Sequence, residues 1–307
     1  MEFPFKGLVA APFTPFKDNG NIDVSKISLY AEHLGRNGVQ AVFVNGTTGE
    51  GVLSLSIAER KTMLESWVTL GREHVPVIMA QVGGCSYREA LDLASHAESL
   101  KVSAIGCLPS LFPKPRNVDE LVDWCKRIAM AAPNTPFFYY HIPSFSGVSL
   151  SMTEFLVKAS EVIPTLAGIK YSSADFGELA SMLTVRSKNG KSFKIFHGND
   201  ETFAASLTLG LDSAVGSTYN FMPQVFQKLL QLHKDGKQEE LYVIRDKLTL
   251  MFKTIFDFGF AVGALKPVMK IISGIDLGPP RFPYKKLTPE EEIRLTEALK
   301  KTDLGLF

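Results

Sequence analysis

Short apolar runs alternate along the chain with longer stretches in which apolar positions recur every three to four residues. The short runs cover 7–16, 41–45, 76–82, 104–108, 136–141, 166–170, 193–197 and 213–216. Few of them alternate cleanly with polar residues, which is the pattern of strands covered on both faces. The longer stretches, 24–36, 56–71, 86–100, 118–131, 151–161, 175–186 and 201–209, carry the period of amphipathic helices. Ser56-Ile57-Ala58-Glu59 predicts a capping box, in which hydroxyl and carboxylate satisfy free N–H groups at a helix start. Thr288-Pro289-Glu290-Glu291 predicts another, opening a last helix to about Lys301.

Strand and helix signals alternating through eight units predict parallel βαβ connections and a closed (β/α)8 TIM barrel. No G-x-G-x-x-G follows the first strand, which argues against an open dinucleotide-binding sheet. After about Asn220 the strand signals stop. Helical patterns at 222–234, 239–258 and 261–273, then a Gly/Pro-rich connector at 274–283, predict a C-terminal helical extension. The expected organisation is a barrel core over 1–220 and a helical extension over 221–307 that includes the last barrel helix.

Composition narrows the function classes. With 33 basic and 32 acidic side chains the net charge is +1, so nothing attracts a polyanion, and neither nucleic acid nor an anionic membrane is an expected partner. No run approaches the ~20 apolar residues of a membrane span, and the opening residues lack the basic and apolar pattern of a secretory leader, so none is expected. Cys85, Cys107 and Cys125 form no C-x-x-C pair and read as buried thiols in a reducing compartment. A cytoplasmic enzyme is the expected class. No His, Cys, Asp or Glu set has metal-ligand spacing, so no metal is expected.

In a barrel, chemistry sits where strands end and βα loops begin. The unusual residues gather at those places. Lys170 closes 166–170; on strand parity it shares a face with Gly168 and Leu166, the glycine leaving room beside it. Burial of an amine disfavours its charged form and frees a lone pair to attack a carbonyl. A strand-end lysine also snorkels to water, so position alone leaves both readings open. Tyr140 shares parity with Phe138 on the neighbouring run and is placed to relay protons, or else is a core aromatic; Tyr139 then faces the helices. Gly46-Thr47-Thr48-Gly49-Glu50-Gly51 puts two hydroxyls and several amides where a carboxylate can be held, or forms a plain turn. Asp200 and Glu201 suit a polyol, or simply favour a helix N-terminus. His141 and His197 read as structural.

With these residues in view, the chain resembles the family that holds N-acetylneuraminate lyase and dihydrodipicolinate synthase. The motifs are Phe43-Val44-Asn45-Gly46-Thr47-Thr48-Gly49-Glu50-Gly51, Tyr139-Tyr140-His141-Ile142-Pro143, Gly168-Ile169-Lys170-Tyr171-Ser172 and Ala214-Val215-Gly216-Ser217-Thr218-Tyr219-Asn220. They fall in order over nearly the whole length. Ser273-Gly274-Ile275 and Gly278-Pro279-Pro280-Arg281 make the wording closest to sialic acid lyases of the animal type.

The resemblance implies a cofactor-free Schiff-base aldolase that cleaves N-acetylneuraminate reversibly to N-acetylmannosamine and pyruvate. It implies a covalent imine on Lys170, Tyr140 as proton carrier oriented by Thr47, and Thr47 with Thr48 holding the carboxylate. Ser172, Gly198, Asp200, Glu201, Gly216 and Ser217 match positions that contact the sugar portion, and the assembly implied is a homotetramer. Two positions depart from the synthase pattern. Phe145 stands where the synthase carries an arginine for a second carboxylate. Phe112 stands where a tyrosine from a neighbouring subunit is used, which leaves the proton route there without a hydroxyl. The alternatives kept beside sialic acid cleavage are another pyruvate-dependent aldolase and a silent keto-acid-binding protein.

Overall fold

The computed structural model describes residues 1–259 and 261–305; Phe260 and the last two residues, all within the expected helical extension, lie outside the described residues. Among the described residues eight strands occur: β1 (Gly7–Ala10), β2 (Ala41–Val44), β3 (Val77–Gln81), β4 (Ala104–Cys107), β5 (Phe137–His141), β6 (Leu166–Tyr171), β7 (Lys194–His197) and β8 (Ser213–Gly216). Each pairs in parallel with the next in sequence, and β8 returns to β1, so the sheet closes into a barrel with no free edge.

The helices between them are α1 (Ile27–Arg36), α2 (Ile57–Ser66), α3 (Tyr87–Ser99), α4 (Val118–Ala129), the short α5 (Pro143–Ser146), α6 (Met152–Val162), α7 (Phe176–Thr184) and α8 (Phe203–Leu207). After β8 come α9 (Pro223–Lys234), α10 (Gln238–Phe256), α11 (Val262–Ser273) and α12 (Pro289–Lys300). Both expected capping boxes form: Ser56 with Glu59 at α2, and Thr288 with Glu291 at α12.

Several boundaries move for identifiable reasons. The first run is a strand only to Ala10, because Pro12 and Pro15 lack the N–H that a ladder requires. The expected helix at 56–71 ends as a π-helical turn, Trp67–Gly71. That at 201–209 is split into a 3-10 turn, Asp200–Thr202, and the five-residue α8. The short α5 was not expected from the sequence; Pro143 at its first turn and Gly147 at φ 66 bound it.

Two apolar compartments follow from strand parity. Val9, Phe43, Met79, Phe138, Phe196 and Val215 fill the barrel interior, whereas Tyr139, Ile169 and Tyr171 join the layer between strands and helices. Tyr139 packs on Phe155 of α6 at 4.9 Å between ring centroids, on the helix side as expected. Phe3 and Phe5 close the barrel floor against Phe138 and Phe196. At its other end the mouth is flanked by α10, α11 and the connector to α12.

Candidate active site

A cavity of about 600 Å3 opens at the C-terminal ends of the strands. Thr47, Thr48, Tyr140, Lys170, Ser172, Gly198, Asp200, Glu201, Gly216 and Ser217 all line it, so the fold brings every expected site residue into one space.

Lys170 projects from β6 into the barrel and is 6% exposed. Its Nζ lies 3.8 Å from the centroid of the Tyr140 ring and 4.8 Å from that of Phe43. Tyr140 and Lys170 are register partners on adjacent strands, as sequential barrel order requires. Leu166 does not share the Lys170 face, although strand parity predicts that it should. A register irregularity between Phe137 and Phe138 lets Leu166 fall in the outer layer and Ala167 in the inner one. Gly168 also serves a different purpose from the one expected. A Cβ there would lie 1.7 Å from the Lys194 carbonyl oxygen, so glycine is required by the close approach of β7, not by the lysine.

Tyr140 is buried and shares a hydrogen bond of 3.2 Å with Thr47 Oγ1. The threonine turn between them and β2 is folded tightly on itself. Asn45 and Glu50 take positive φ, 61° and 57°, and a Cβ at Gly51 would strike the Asn45 carbonyl oxygen at 2.1 Å. Thr14 Oγ1 donates to the Gly49 carbonyl at 2.6 Å. Behind the turn, buried Glu50 pairs with Lys266 of α11 at 3.3 Å and accepts from the Arg281 amide at 3.0 Å. Burial raises the Glu50 pKa and lowers that of Lys266 to about 8. Arg281 then clamps Glu59 of α2, at 2.7 Å, and the Ser54 carbonyl, at 2.8 Å. The C-terminal elements thus hold the threonine turn from the rear.

The opposite wall is acidic. Asp200 is buried; its Oδ2 accepts from the Thr218 amide at 2.9 Å and the Thr218 hydroxyl at 2.7 Å. Its Oδ1 is buried without a hydrogen-bond partner among the described residues, and the residue lines the cavity. Burial raises the Asp200 pKa, against the pull of Thr218 and of the Lys170 charge. Glu201, at the outer rim, is also raised, by partial burial and by the Asp200 charge. Two glycines make the space: a Cβ at Gly216 would meet Asp200 Oδ1 at 1.8 Å, and one at Gly198 would meet Ser172 Oγ at 2.0 Å.

His141 and His197 do not line the cavity. His141 stacks on Tyr171 at 5.2 Å and His197 bonds Thr202 Oγ1 at 2.9 Å; burial lowers the pKa of each to about 4. Cys107 and Cys125 are buried free thiols, but Cys85 is exposed, contrary to expectation, because it stands in the loop before α3. Phe145 lines the cavity, whereas Phe112 is 91% exposed on the loop after β4. Among the described residues no group of three or more His, Cys, Asp or Glu could hold a metal ion, and no helix is long and apolar enough to cross a membrane.

Residues missed from the sequence form the remaining wall: Phe252 and Phe256 of α10, Val262 and Leu265 of α11, and Tyr284 of the connector. The helical spacing of the four on α10 and α11 resembles that of any core helix, and Tyr284 lies in an irregular connector, so no linear signal marks them.

Known proteins resemble this chain in sequence and in fold. N-acetylneuraminate lyase of Homo sapiens is 36% identical over 311 residues, spanning 100% of this chain and 96% of the human protein. That of Gallus gallus is 39% identical over 282 residues, 91% of this chain and 90% of its own length. The structure of Proteus mirabilis N-acetylneuraminate lyase superposes with a TM-score of 0.92 at 36% identity, covering 98% of this chain and 99% of the other. The sequence pattern described as the dihydrodipicolinate synthetase family matches residues 4–302, and the chain belongs to that family.

Proposed function

We propose that this protein is a Schiff-base lyase that cleaves N-acetylneuraminate to N-acetylmannosamine and pyruvate, and runs in both directions. One observation carries the proposal: Lys170 Nζ lies over the Tyr140 ring, within a cavity that has the threonine turn on one side and the unpaired Asp200 Oδ1 on the other. Such a site offers an amine, a phenol, anion donors and a polyol acceptor in one enclosure.

In the chemistry proposed, Thr47, Thr48 and their amides hold the substrate carboxylate. The lone pair of Lys170 Nζ adds to C2 of the open-chain keto acid. Tyr140 gives its proton to the departing hydroxyl, so water leaves, an iminium forms and the phenol becomes phenolate. The phenolate takes the proton of the C4 hydroxyl. The C3–C4 bond breaks, its electron pair moves to C2–C3 with the C=N pair returning to nitrogen, and the aldehyde is released. Tyr140 then protonates C3 of the enamine. Water adds at C2 with its proton passing to Tyr140, and collapse of the adduct frees pyruvate and Lys170. Ser172, Asp200, Glu201 and Ser217 meet the sugar hydroxyls, while Gly198 and Gly216 leave them room. No cofactor enters.

Phe145 at the cavity wall has no charge for a second carboxylate, which supports a neutral aldehyde product over the semialdehyde chemistry of the synthase. The proposal includes a homotetramer acting in the cytoplasm, as the family resemblance implies. Light scattering of the purified protein tests the assembly.

Borohydride added to protein incubated with pyruvate should fix a reduced adduct on Lys170, located by peptide mass spectrometry. Lys170→Met should show neither adduct nor turnover of N-acetylneuraminate. Equal labelling in the variant, or a preference for aspartate semialdehyde over sialic acids, would sink the proposal.

A further inference from the structure

We propose that Tyr284 is a second proton-carrying phenol of this site, linking the buried Tyr140 to water at the cavity mouth. The inference rests on the lyase reading above and adds a residue to it from outside the barrel.

The chemistry creates the need. Tyr140 becomes a phenolate twice in each turnover, yet it is 2% exposed and, among the described residues, its hydroxyl bonds Thr47 alone. A buried phenolate is costly without several donors, and a single hydroxyl satisfies little of it. Its proton must also reach water whenever a half-reaction is run with pyruvate alone. The position where the resemblance implies another tyrosine carries Phe112, which has no hydroxyl and points into solvent.

The structure supplies a phenol elsewhere. Tyr284 lines the same cavity as Thr47, Tyr140 and Lys170, and among the described lining residues it is the one phenol besides Tyr140. It is half-buried and packs against the core while lining the cavity. Its turn is held firmly. The Tyr284 amide donates to the Arg281 carbonyl at 3.1 Å, and Arg281 is fixed by Glu50, Ser54 and Glu59. Burial raises the Tyr284 pKa, and the charges of Glu50 and Tyr140 raise it further. The phenol therefore lies within electrostatic reach of Tyr140 and stays a neutral donor at physiological pH, as a relay requires. The other acid groups at the mouth, Asp200 and Glu201, stand on the β7 side, where the sugar is held.

Deuterium exchange into the pyruvate methyl group reads this proton path directly, because it needs the enamine and solvent but no aldehyde. The protein and its Tyr284→Phe variant are incubated with pyruvate in D2O and followed by proton NMR. The same samples are trapped with borohydride, and kcat and KM for N-acetylneuraminate are measured. The variant keeps the ring and its packing. Expected are a fall of about tenfold or more in exchange rate and kcat, a KM within about twofold, and the same yield of Lys170 adduct. Exchange and kcat equal to those of the parent would overturn the assignment of Tyr284. So would a parallel loss of exchange and adduct, which marks a role in shaping the pocket. If the parent protein itself traps no pyruvate, the lyase reading has failed first and Tyr284 falls with it.

Discussion

Replacing either member of the Glu50–Lys266 pair should destabilise the protein and loosen the threonine turn, while replacing both together should restore most of the loss. The two side chains are almost wholly buried, 0% and 2% exposed, and lie 3.3 Å apart. In Lys266→Met, Glu50 keeps the Arg281 amide and Ser54 but loses its counter-charge. Burial has already raised its pKa, so it takes up a proton instead of remaining a bare buried ion. In Glu50→Gln, Lys266 loses the charge that holds its pKa as high as about 8, and gives up its proton near neutral pH. Both variants escape through neutralisation, which puts each at the lower end of the ~3–5 kcal/mol typical of a broken buried pair. The double variant Glu50→Gln/Lys266→Met leaves no charge behind and should lie within about 1–2 kcal/mol of the parent. Urea unfolding of the four proteins at pH 7 gives the cycle, with a coupling of at least about 2 kcal/mol expected. The KM for pyruvate in the synthetic direction should rise in each single variant, since Glu50 anchors the turn that carries Thr47 and Thr48. Additive single costs, or single costs below about 1 kcal/mol, would refute the claim that this pair holds the cradle.

Asp200→Asn should separate stability from function. A carboxyl whose pKa is raised on folding holds its proton to higher pH than in the unfolded chain, so it lowers stability as pH rises from the unfolded value through the folded one. Asparagine removes that cost, and its oxygen can still accept from Thr218. The variant should melt higher than the parent at pH 7, with the two curves converging toward pH 3, while KM for N-acetylneuraminate rises about tenfold. A lower melting temperature at pH 7 would contradict this assignment of the burial cost. Gly168→Ala should cost more than a typical core change, about 3 kcal/mol or above, because the new Cβ meets a carbonyl oxygen of β7 at 1.7 Å; a denaturation midpoint near that of the parent would show that β6 and β7 separate freely.

Much of the architecture is legible in the chain. Apolar runs set off by helical periods mark all eight strands, since a strand buried on both faces must be apolar throughout. The capping boxes at Ser56 and Thr288 are local chemistry and appear where expected. The rim residues could be proposed because barrel chemistry is confined to strand ends, and the family motifs turned those places into named roles. Less legible was anything that depends on two strands meeting. Gly168 is compatible with either reason for a glycine until the Lys194 carbonyl is in place, and the irregularity at Phe137 breaks a parity that the linear pattern suggests.

The sequence by itself determined the strand and helix alternation, the clustering of Thr47, Tyr140, Lys170 and Asp200 at strand ends, and the family. These depend on residues near one another in the chain, or on motifs preserved in order. Tertiary structure alone decided that Glu50 is an anchor and not a ligand, that Asp200 keeps one oxygen unpaired, and that Tyr284 enters the site. The Glu50 anchor and the entry of Tyr284 follow from α11 and the connector after it folding back over the barrel mouth, more than 200 residues from the turn they support, and the state of Asp200 follows from its meeting with Thr218 after β8. A contact across that separation leaves no periodic trace, because its energy comes from burial and charge pairing that exist only once the barrel has closed.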